Sequence, residues 1–396
     1  MVAFVNFGGN SSIFAQSHQR ICPESTQFYH PTKHKALESY TRRFVNSPQV
    51  STQSRQSIQI PVVVHVVYPT EAENVSDEQI HSQMAALNRD FNRQNSNFDR
   101  VHPDFSERIA RVGFSFCLAT TDPFGQPTSG ITRTKTADNS IFVRSEGNIY
   151  YTERGGKDAW NTNQYLNIWV TRLAPNVAGF ASKPFENSPE EDGVVLSVDY
   201  FGQIGTALPD FNLGRVGTHE VGHYFNLFHP WGSDCSHDDF VADTPTQTDA
   251  YNGCPDIDGA SCNSRDIMAN FMNNSADACL AMFTRGQARR MRAALLFARK
   301  DLLNGNVCAA NPPSISASDI RIHPNPASFY FYIETGNFDL SQIPFRVYNS
   351  QGAKVEEGVV VPNSRLYFPT YRNGVYFVVF ERATETPLVR KLLIAN

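Results

Sequence analysis

His219-Glu220-Val221-Gly222-His223-Tyr224-Phe225-Asn226-Leu227-Phe228-His229 decides the reading of this chain. His219 and His223 are four residues apart, so on a helix they stack on one face and can share an ion. Glu220 is turned by about 100° from His219, which keeps it off the ion but within reach of a water bound there. His229 lies six positions past His223. A continued helix would carry it about 240° around and about 9 Å along, out of range. The helix must therefore break between them. Asn226 is placed to do this, although glycine would do it more easily, because asparagine tolerates left-handed backbone. Three neutral imidazoles, an open fourth position and one carboxylate base are the parts of a hydrolytic zinc site. Tyr224, Phe225, Leu227 and Phe228 put the helix inside, where histidines without partners would be costly.

Working outward, Ile58–Tyr68 is an apolar, β-branched run that reads as a strand. His65 within it reads as a core histidine and not a ligand. Ser76-Asp77-Glu78-Gln79 has the form of a capping box opening a helix, with Ile80, Met84, Leu87 and Phe91 at helical spacing. Further strands are expected around Val112–Leu118, Leu166–Thr171 and Gly193–Val198. The histidine helix should span about Arg215 to Asn226. A loop-rich stretch follows to Thr284, where Thr284-Arg285-Gly286-Gln287 opens a last helix with Met291, Leu295 and Leu302 inward. Asn311–Ser318 is a linker rich in Pro and Ser. Past it come short strands at Phe329–Glu334, Phe345–Tyr348, Arg365–Phe368 and Gly374–Phe380, with turns at Asn349–Gly352 and Arg372–Gly374, the pattern of a small all-β sandwich. The expected fold class is α+β with a cleft below the sheet, followed by that sandwich.

The histidine stretch resembles the metzincin metallopeptidases, and within them the pappalysin family with its cytophagalysin-like members. The segments Tyr165–Val170, Asp192–Val195 and Asn270-Phe271-Met272 also match that family. The resemblance spans roughly Ile58 to Leu303. It implies a twisted mixed sheet over an active-site helix and a C-terminal helix. It also implies zinc held by His219, His223 and His229, Glu220 as the general base, and Met272 in a tight turn beneath the metal. Met268 is a nearby alternative that fits less well. Many relatives carry an acid and then Tyr after the methionine; here Asn273-Asn274 stands there, so no tyrosine is assigned to the transition state. Some relatives cut before Lys or Arg using an acid near the following cysteine, where this chain has Asp277. Pro324-Asn325-Pro326, Asn373–Tyr376 and Arg390–Ile394 resemble the C-terminal sorting domain of the type IX secretion system. A generic partner- or carbohydrate-binding sandwich is the other reading of that tail.

Composition bounds the rest. The 396 residues carry a net charge of −5, a pI near 6.1 and 41% hydrophobic residues. A sizeable core is expected, and nothing points to nucleic acid or an anionic membrane surface. No run of eighteen apolar residues suggests a membrane-spanning helix. Seven cysteines is an odd number. Paired cysteines fit an oxidising compartment, and with the sorting domain they imply a secreted or cell-surface protein exported through the periplasm. Four cysteines allow three pairings; the family implies Cys235 with Cys262 and Cys254 with Cys279. Cys117 and Cys308 could form a third bridge, leaving Cys22. The hypothesis for Cys22 is that its thiolate takes the fourth zinc position and keeps a proenzyme latent; a disulfide with Cys117 or Cys308 is the alternative.

The domain plan is therefore 1–15 as the remnant of a signal peptide or an ordinary terminus, 16–57 as a propeptide without its own core, 58–308 as the catalytic domain, 309–318 as linker and 319–396 as the sorting sandwich. Activation would cut before Ile58, with Arg42, Arg43 and Arg55 as candidate sites. Seven Asp and no Lys or Arg between Gly232 and Ser264 suggest a calcium site, with Asp239, Asp243 and Thr244 as candidates. The function expected is a secreted zinc endopeptidase acting on proteins or peptides. The alternative is a surface binding protein whose zinc is structural.

Overall fold

The computed structural model describes residues 21–23, 30–46, 57–137, 140–304, 307–308, 321–328, 330–334, 344–359, 365–367, 371–380 and 388–395. Residues 1–15, Arg55, the linker and Phe329 lie outside them. The chain divides into two compact units, Met1–Cys308 and Ala309–Asn396.

The first unit is organised on strand β1 (Ile58–Tyr68), which is buried along nearly its whole length. Its β-branched run suits a strand covered on both faces. One edge of β1 is shared by two strands in succession. Strand β2 (Phe114–Leu118) pairs with its first half and β3 (Ile131–Lys135) with its second, both parallel. The switch occurs at Gly130, φ +72°, where a Cβ would lie 2.7 Å from Ala119 N, so only glycine fits the close approach. On the other edge β4 (Leu166–Thr171) and then β6 (Val194–Ser197) continue in parallel, and the short β5 (Gly179–Ala181) closes the sheet antiparallel. The apolar run predicts β1; β3 and β5 carry too little pattern to be read from sequence.

Helix α2 (Asp77–Phe91) packs one apolar face into the main core through Ile80, Leu87 and Phe91. Ser76 caps it, accepting from Gln79 N at 3.2 Å. The expected reciprocal half of the box is not made. Gln79 Nε2 instead donates to Phe201 O at 2.8 Å and Thr206 Oγ1 at 2.9 Å, because tertiary partners compete successfully for that amide. His65 is buried between Thr132 Oγ1 at 2.8 Å and Asn167 Oδ1 at 2.9 Å. Burial lowers its pKa to about 4, which keeps the ring neutral, as a core histidine should be.

The histidine helix, α3 (Arg215–Tyr224), is buried at every position. Its N-cap is Gly214, which has no side chain to offer. Asp277 takes that task from 62 residues away: its Oδ2 accepts from Leu213 N at 2.9 Å and Arg215 N at 3.1 Å. A carboxylate there also suits the positive end of the helix. The loop after α3 contains the small pair β7 (Ala260–Ser261) and β8 (Ser264–Arg265). Helix α4 (Arg285–Ala298) does have a full capping box, with Gln287 N donating to Thr284 Oγ1 at 3.1 Å and Thr284 N to Gln287 Oε1 at 2.9 Å. Leu302 is buried as expected but sits in a separate turn, Lys300–Leu303.

The polar composition of residues 16–57 predicts a segment without its own core. The described part contains a helix, α1 (Pro31–Val45), opened by proline in its first turn. It lies along α4, with Leu37 buried and the Tyr40 and Phe297 rings 5.1 Å apart. The helix has few apolar positions, and it is α4 that covers them. Arg42 and Arg43 are exposed but helical, a poor conformation for cleavage.

Disulfides join Cys235 to Cys262, Cys254 to Cys279 and Cys117 to Cys308. The second unit is all antiparallel β. Strands β9 (Arg321–His323), β10 (Tyr330–Glu334) and β13 (Arg365–Tyr367) form one sheet. Strands β11 (Pro344–Asn349), β12 (Lys354–Val359), β14 (Gly374–Phe380) and β15 (Leu388–Ile394) form the other. Phe331, Ile333, Phe345, Val347, Val378, Phe380 and Leu392 make its core. Asn349 Oδ1 accepts from Gln351 N and Ala353 N, building the expected turn.

Removing the Asp277 carboxylate leaves α3 uncapped and takes the acceptor from Leu213 N and Arg215 N, while the Arg215 guanidinium keeps Asp90. Asp277→Ala is expected to lower unfolding stability by about 2 kcal/mol, read by denaturant titration.

Candidate metal centre

Helix α3 ends where the spacing of the third histidine requires. Asn226 has φ +72°. Asn226 N donates to His223 O at 2.8 Å and Leu227 N to Gly222 O at 3.0 Å. These two bonds form a Schellman stop with asparagine in the left-handed position. The reversal brings His229 back, and the Nε2 atoms of His219, His223 and His229 converge at 3.0 to 3.1 Å from one another. All three rings are buried.

Carbonyls orient two of the rings. His219 Nδ1 lies 2.8 Å from Phe271 O, and His223 Nδ1 lies 2.8 Å from Leu227 O. A carbonyl can only accept, so each Nδ1 carries the proton and each neutral ring turns a lone pair inward at Nε2. Two inward lone pairs at 3.0 Å repel unless a cation lies between them. The donor set therefore fits a zinc ion by chemistry as well as by spacing. His229 is stacked on Trp231 at 4.3 Å between centroids, and His237 Nε2 bonds His229 O at 2.8 Å. His237 and Trp231 were not singled out in the sequence, because only the loop fold brings them under His229.

Met272 lies beneath the helix. A Cβ on Gly222 would meet its sulfur at 2.5 Å, which explains a glycine in the middle of α3. The turn is tight: Asn273 N donates to Asn270 O at 2.9 Å and Met272 N to Asn270 Oδ1 at 3.0 Å. Met268 lies near Gly259 instead. Glu220 is fully buried next to its ligand histidine, and Cys22 Sγ is 3.4 Å from Glu220 Oε2. Cys22 belongs to none of the three disulfides. One ligand atom each from Cys22, His219, His223 and His229 falls within a mutual 4.8 Å.

The acidic loop behaves differently from expectation. Asp239 and Thr244 bond each other at 2.7 Å, and Val241 N donates to Asp239 Oδ1 at 3.0 Å. Burial pushes the Asp239 carboxyl up to about 7. Asp243 turns away to α4, accepting from Thr284 Oγ1 at 2.7 Å and Gly286 N at 2.9 Å. Asp239, Asp243 and Thr244 thus form no common cation cage. Among the described residues, Cys22 with the three histidines is the group that gathers around one point. Asp277, in the place where some relatives carry a specificity acid, caps α3.

Helix α1 reaches this region through Glu38. Its carboxylate takes Arg290 NH1 at 2.9 Å and NH2 at 2.6 Å, and Asn226 Nδ2 at 3.0 Å. Arg290 Nε in turn donates to Asn226 O at 2.6 Å. Burial alone would raise the Glu38 pKa, but the Arg290 charge and the hydrogen bonds outweigh it and hold the carboxyl below its ordinary value.

This architecture defines a metzincin-type zinc endopeptidase, and the chain belongs to the pappalysin family of metallopeptidases. The family profile described as Pregnancy-associated plasma protein-A matches residues 150–296, and a secretion system C-terminal sorting domain matches residues 321–395. Mature mirolysin of Tannerella forsythia, solved in complex with a cleaved peptide, is 40% identical with a TM-score of 0.61, covering 63% of this chain and 96% of that one. A promirolysin mutant of Tannerella forsythia is 36% identical with a TM-score of 0.64, over 69% and 91% of the two chains. An extracellular metalloprotease of Arthroderma gypseum is 27% identical over 270 residues, 65% of this chain and 80% of its own. The protein is secreted or cell-surface, and no helix among the described residues is long and apolar enough to cross a membrane.

Two outcomes follow from this geometry. Asn226→Ala should cost about 1–2 kcal/mol for left-handed backbone, while Asn226→Gly should cost clearly less; thermal denaturation ranks them. Because the folded-state pKa of Glu38 is depressed, its contribution to docking α1 is complete above the ordinary value of 4.5 and is lost as pH falls through the lowered one. Protease accessibility of α1 should therefore rise in acid, and Glu38→Gln should raise it already at neutral pH.

Proposed function

We propose that the protein is made as a latent proenzyme in which His219, His223 and His229 hold the zinc, Cys22 closes the fourth position and Glu220 waits as the general base. The observation that carries this reading is the meeting of Cys22 with the three imidazoles, beside the Glu220 carboxylate. The likeness to a promirolysin supports the latent state.

Bound there, zinc would supply Lewis acidity, making a water acidic near neutral pH and polarising a peptide carbonyl. The rest is the work of this chain. The Nδ1 bonds of His219 and His223 fix ring tautomer and aim. Glu220 takes a proton from the attacking water at its carboxylate and returns one to the leaving amine. Its place one residue after a ligand turns it towards the open vertex. Met272 packs under the helix and holds its height relative to the turn at Asn270–Asn273. With Cys22 present the set is His3Cys, the closed form typical of structural sites; an open catalytic position requires that Cys22 leave. That is the reason to place Cys22 on a removable segment, with residues 16–57 as propeptide, 58–308 as catalytic domain and 319–396 as the part handled by type IX secretion.

Glu220→Ala should retain one zinc per chain by elemental analysis and lose casein hydrolysis by about 10²–10⁴-fold. Hydrolysis at the wild-type rate would remove Glu220 from the mechanism. Cys22→Ala precursor should hydrolyse peptide before any cleavage of the chain; a variant as silent as wild type would count against the latch.

A further inference from the structure

Ile21-Cys22-Pro23 runs as an extended peptide beside Asn176–Ala178. Ile21 N donates to Asn176 O at 2.9 Å and Ala178 N to Ile21 O at 3.0 Å, a parallel bridge centred on Val177. Backbone pairing of this kind is how a sheet edge holds any extended peptide. One residue past the Cys22 thiol, the Pro23 carbonyl accepts from Arg144 NH1.

Arg144 is held by groups outside the N-terminal segment. Its NH2 donates to Glu186 Oε1 at 2.7 Å, and the Glu186 side chain is only 2% exposed. Its guanidinium lies over the Phe180 ring at 5.3 Å, on β5. Glu186 is itself fixed, with Lys183 N donating to its Oε2 at 2.9 Å. The guanidinium is therefore held by groups that do not leave with Pro23, with NH1 turned to the extended peptide. A donor fixed in advance loses little entropy on meeting a ligand.

We infer that Arg144 is a substrate-binding residue: in the activated enzyme its NH1 donates to a main-chain carbonyl of the bound peptide, at the place the Pro23 carbonyl holds in the precursor. Glu186 is shared between Arg144 and the Lys183 ammonium at 3.5 Å. Because the acceptor is a main-chain carbonyl, the contact is indifferent to side-chain identity. It rests on the reading above that Cys22 sits at the metal, which puts the fork one residue from that point. A hydrogen bond made equally in ground and transition states acts on KM and leaves kcat nearly unchanged.

The test uses full-chain protein activated by limited trypsin digestion, with loss of Cys22 confirmed by mass. Arg144→Ala should lower kcat/KM about tenfold, the cost of one charge-assisted hydrogen bond, almost wholly through KM. Arg144→Lys should recover part of it, and carries the test alone should Arg144→Ala melt early. In a Glu220→Ala background, fluorescence anisotropy should show affinity for an intact labelled peptide falling by a similar factor. Unchanged KM and unchanged peptide affinity, with weaker inhibition by an added peptide of residues 18–28, would mean that Arg144 serves only the N-terminal segment, and the inference fails. An activated wild type without hydrolysis would instead overturn the reading of the metal centre, and peptide affinity then decides on Arg144 separately.

Discussion

Two carbonyl oxygens govern this structure. Phe271 O and Leu227 O take the Nδ1 protons of His219 and His223, and so turn two lone pairs towards one point. Each carbonyl belongs to a turn that has to be built for the purpose. Leu227 O comes from the Schellman stop at Asn226; Phe271 O comes from the turn held by Asn270. The Asn270 side chain is locked by Gln287 of α4 at 2.7 and 2.9 Å. The last helix of the unit therefore sets the aim of the first histidine, although it touches no ligand itself.

The same economy appears at the two ends of α3. The N-terminus is capped by Asp277, two residues before the disulfide cysteine Cys279, and the C-terminal break is braced by Arg290 of α4. Asp277 lies inside the stretch that the Cys235–Cys262 and Cys254–Cys279 bridges staple, and Arg290 lies beyond it on α4. A charged group at each end of a fully buried helix needs a partner, and these arrangements supply one. In the described precursor Glu38 adds itself to the Arg290 side of that bracing. This couples the N-terminal segment to the helix end as well as to the metal centre, through two separated contacts.

The N-terminal segment also shows what a mostly polar composition conceals. Residues 31–45 have few apolar positions, yet they form a helix because α4 offers a complementary surface and Arg290 a counter-charge. The strands β3 and β5 were missed for a related reason. Each is short and depends on a neighbour's edge: β3 on the second half of β1, β5 on β6. Gln79 is the reverse case, a residue whose local capping signal was correct in kind and was overruled by Phe201 and Thr206.

Local chemistry settled what could be settled by spacing and conformational preference. The four-residue interval of His219 and His223, the left-handed tolerance of Asn226 and the β-branched run of Ile58–Tyr68 were all legible, because each acts within one or two turns of chain. What the tertiary fold alone decided is everything that depends on direction across long separations. It aimed Cys22 at the histidines, spent Asp243 on α4 and Asp239 on Thr244, and gave Asp277 to a helix 62 residues away. A carboxylate in a sequence reads the same whether it will face a cation, a hydroxyl or a helix end; only packing chooses the partner, because an unsatisfied charge inside costs more than any local preference returns.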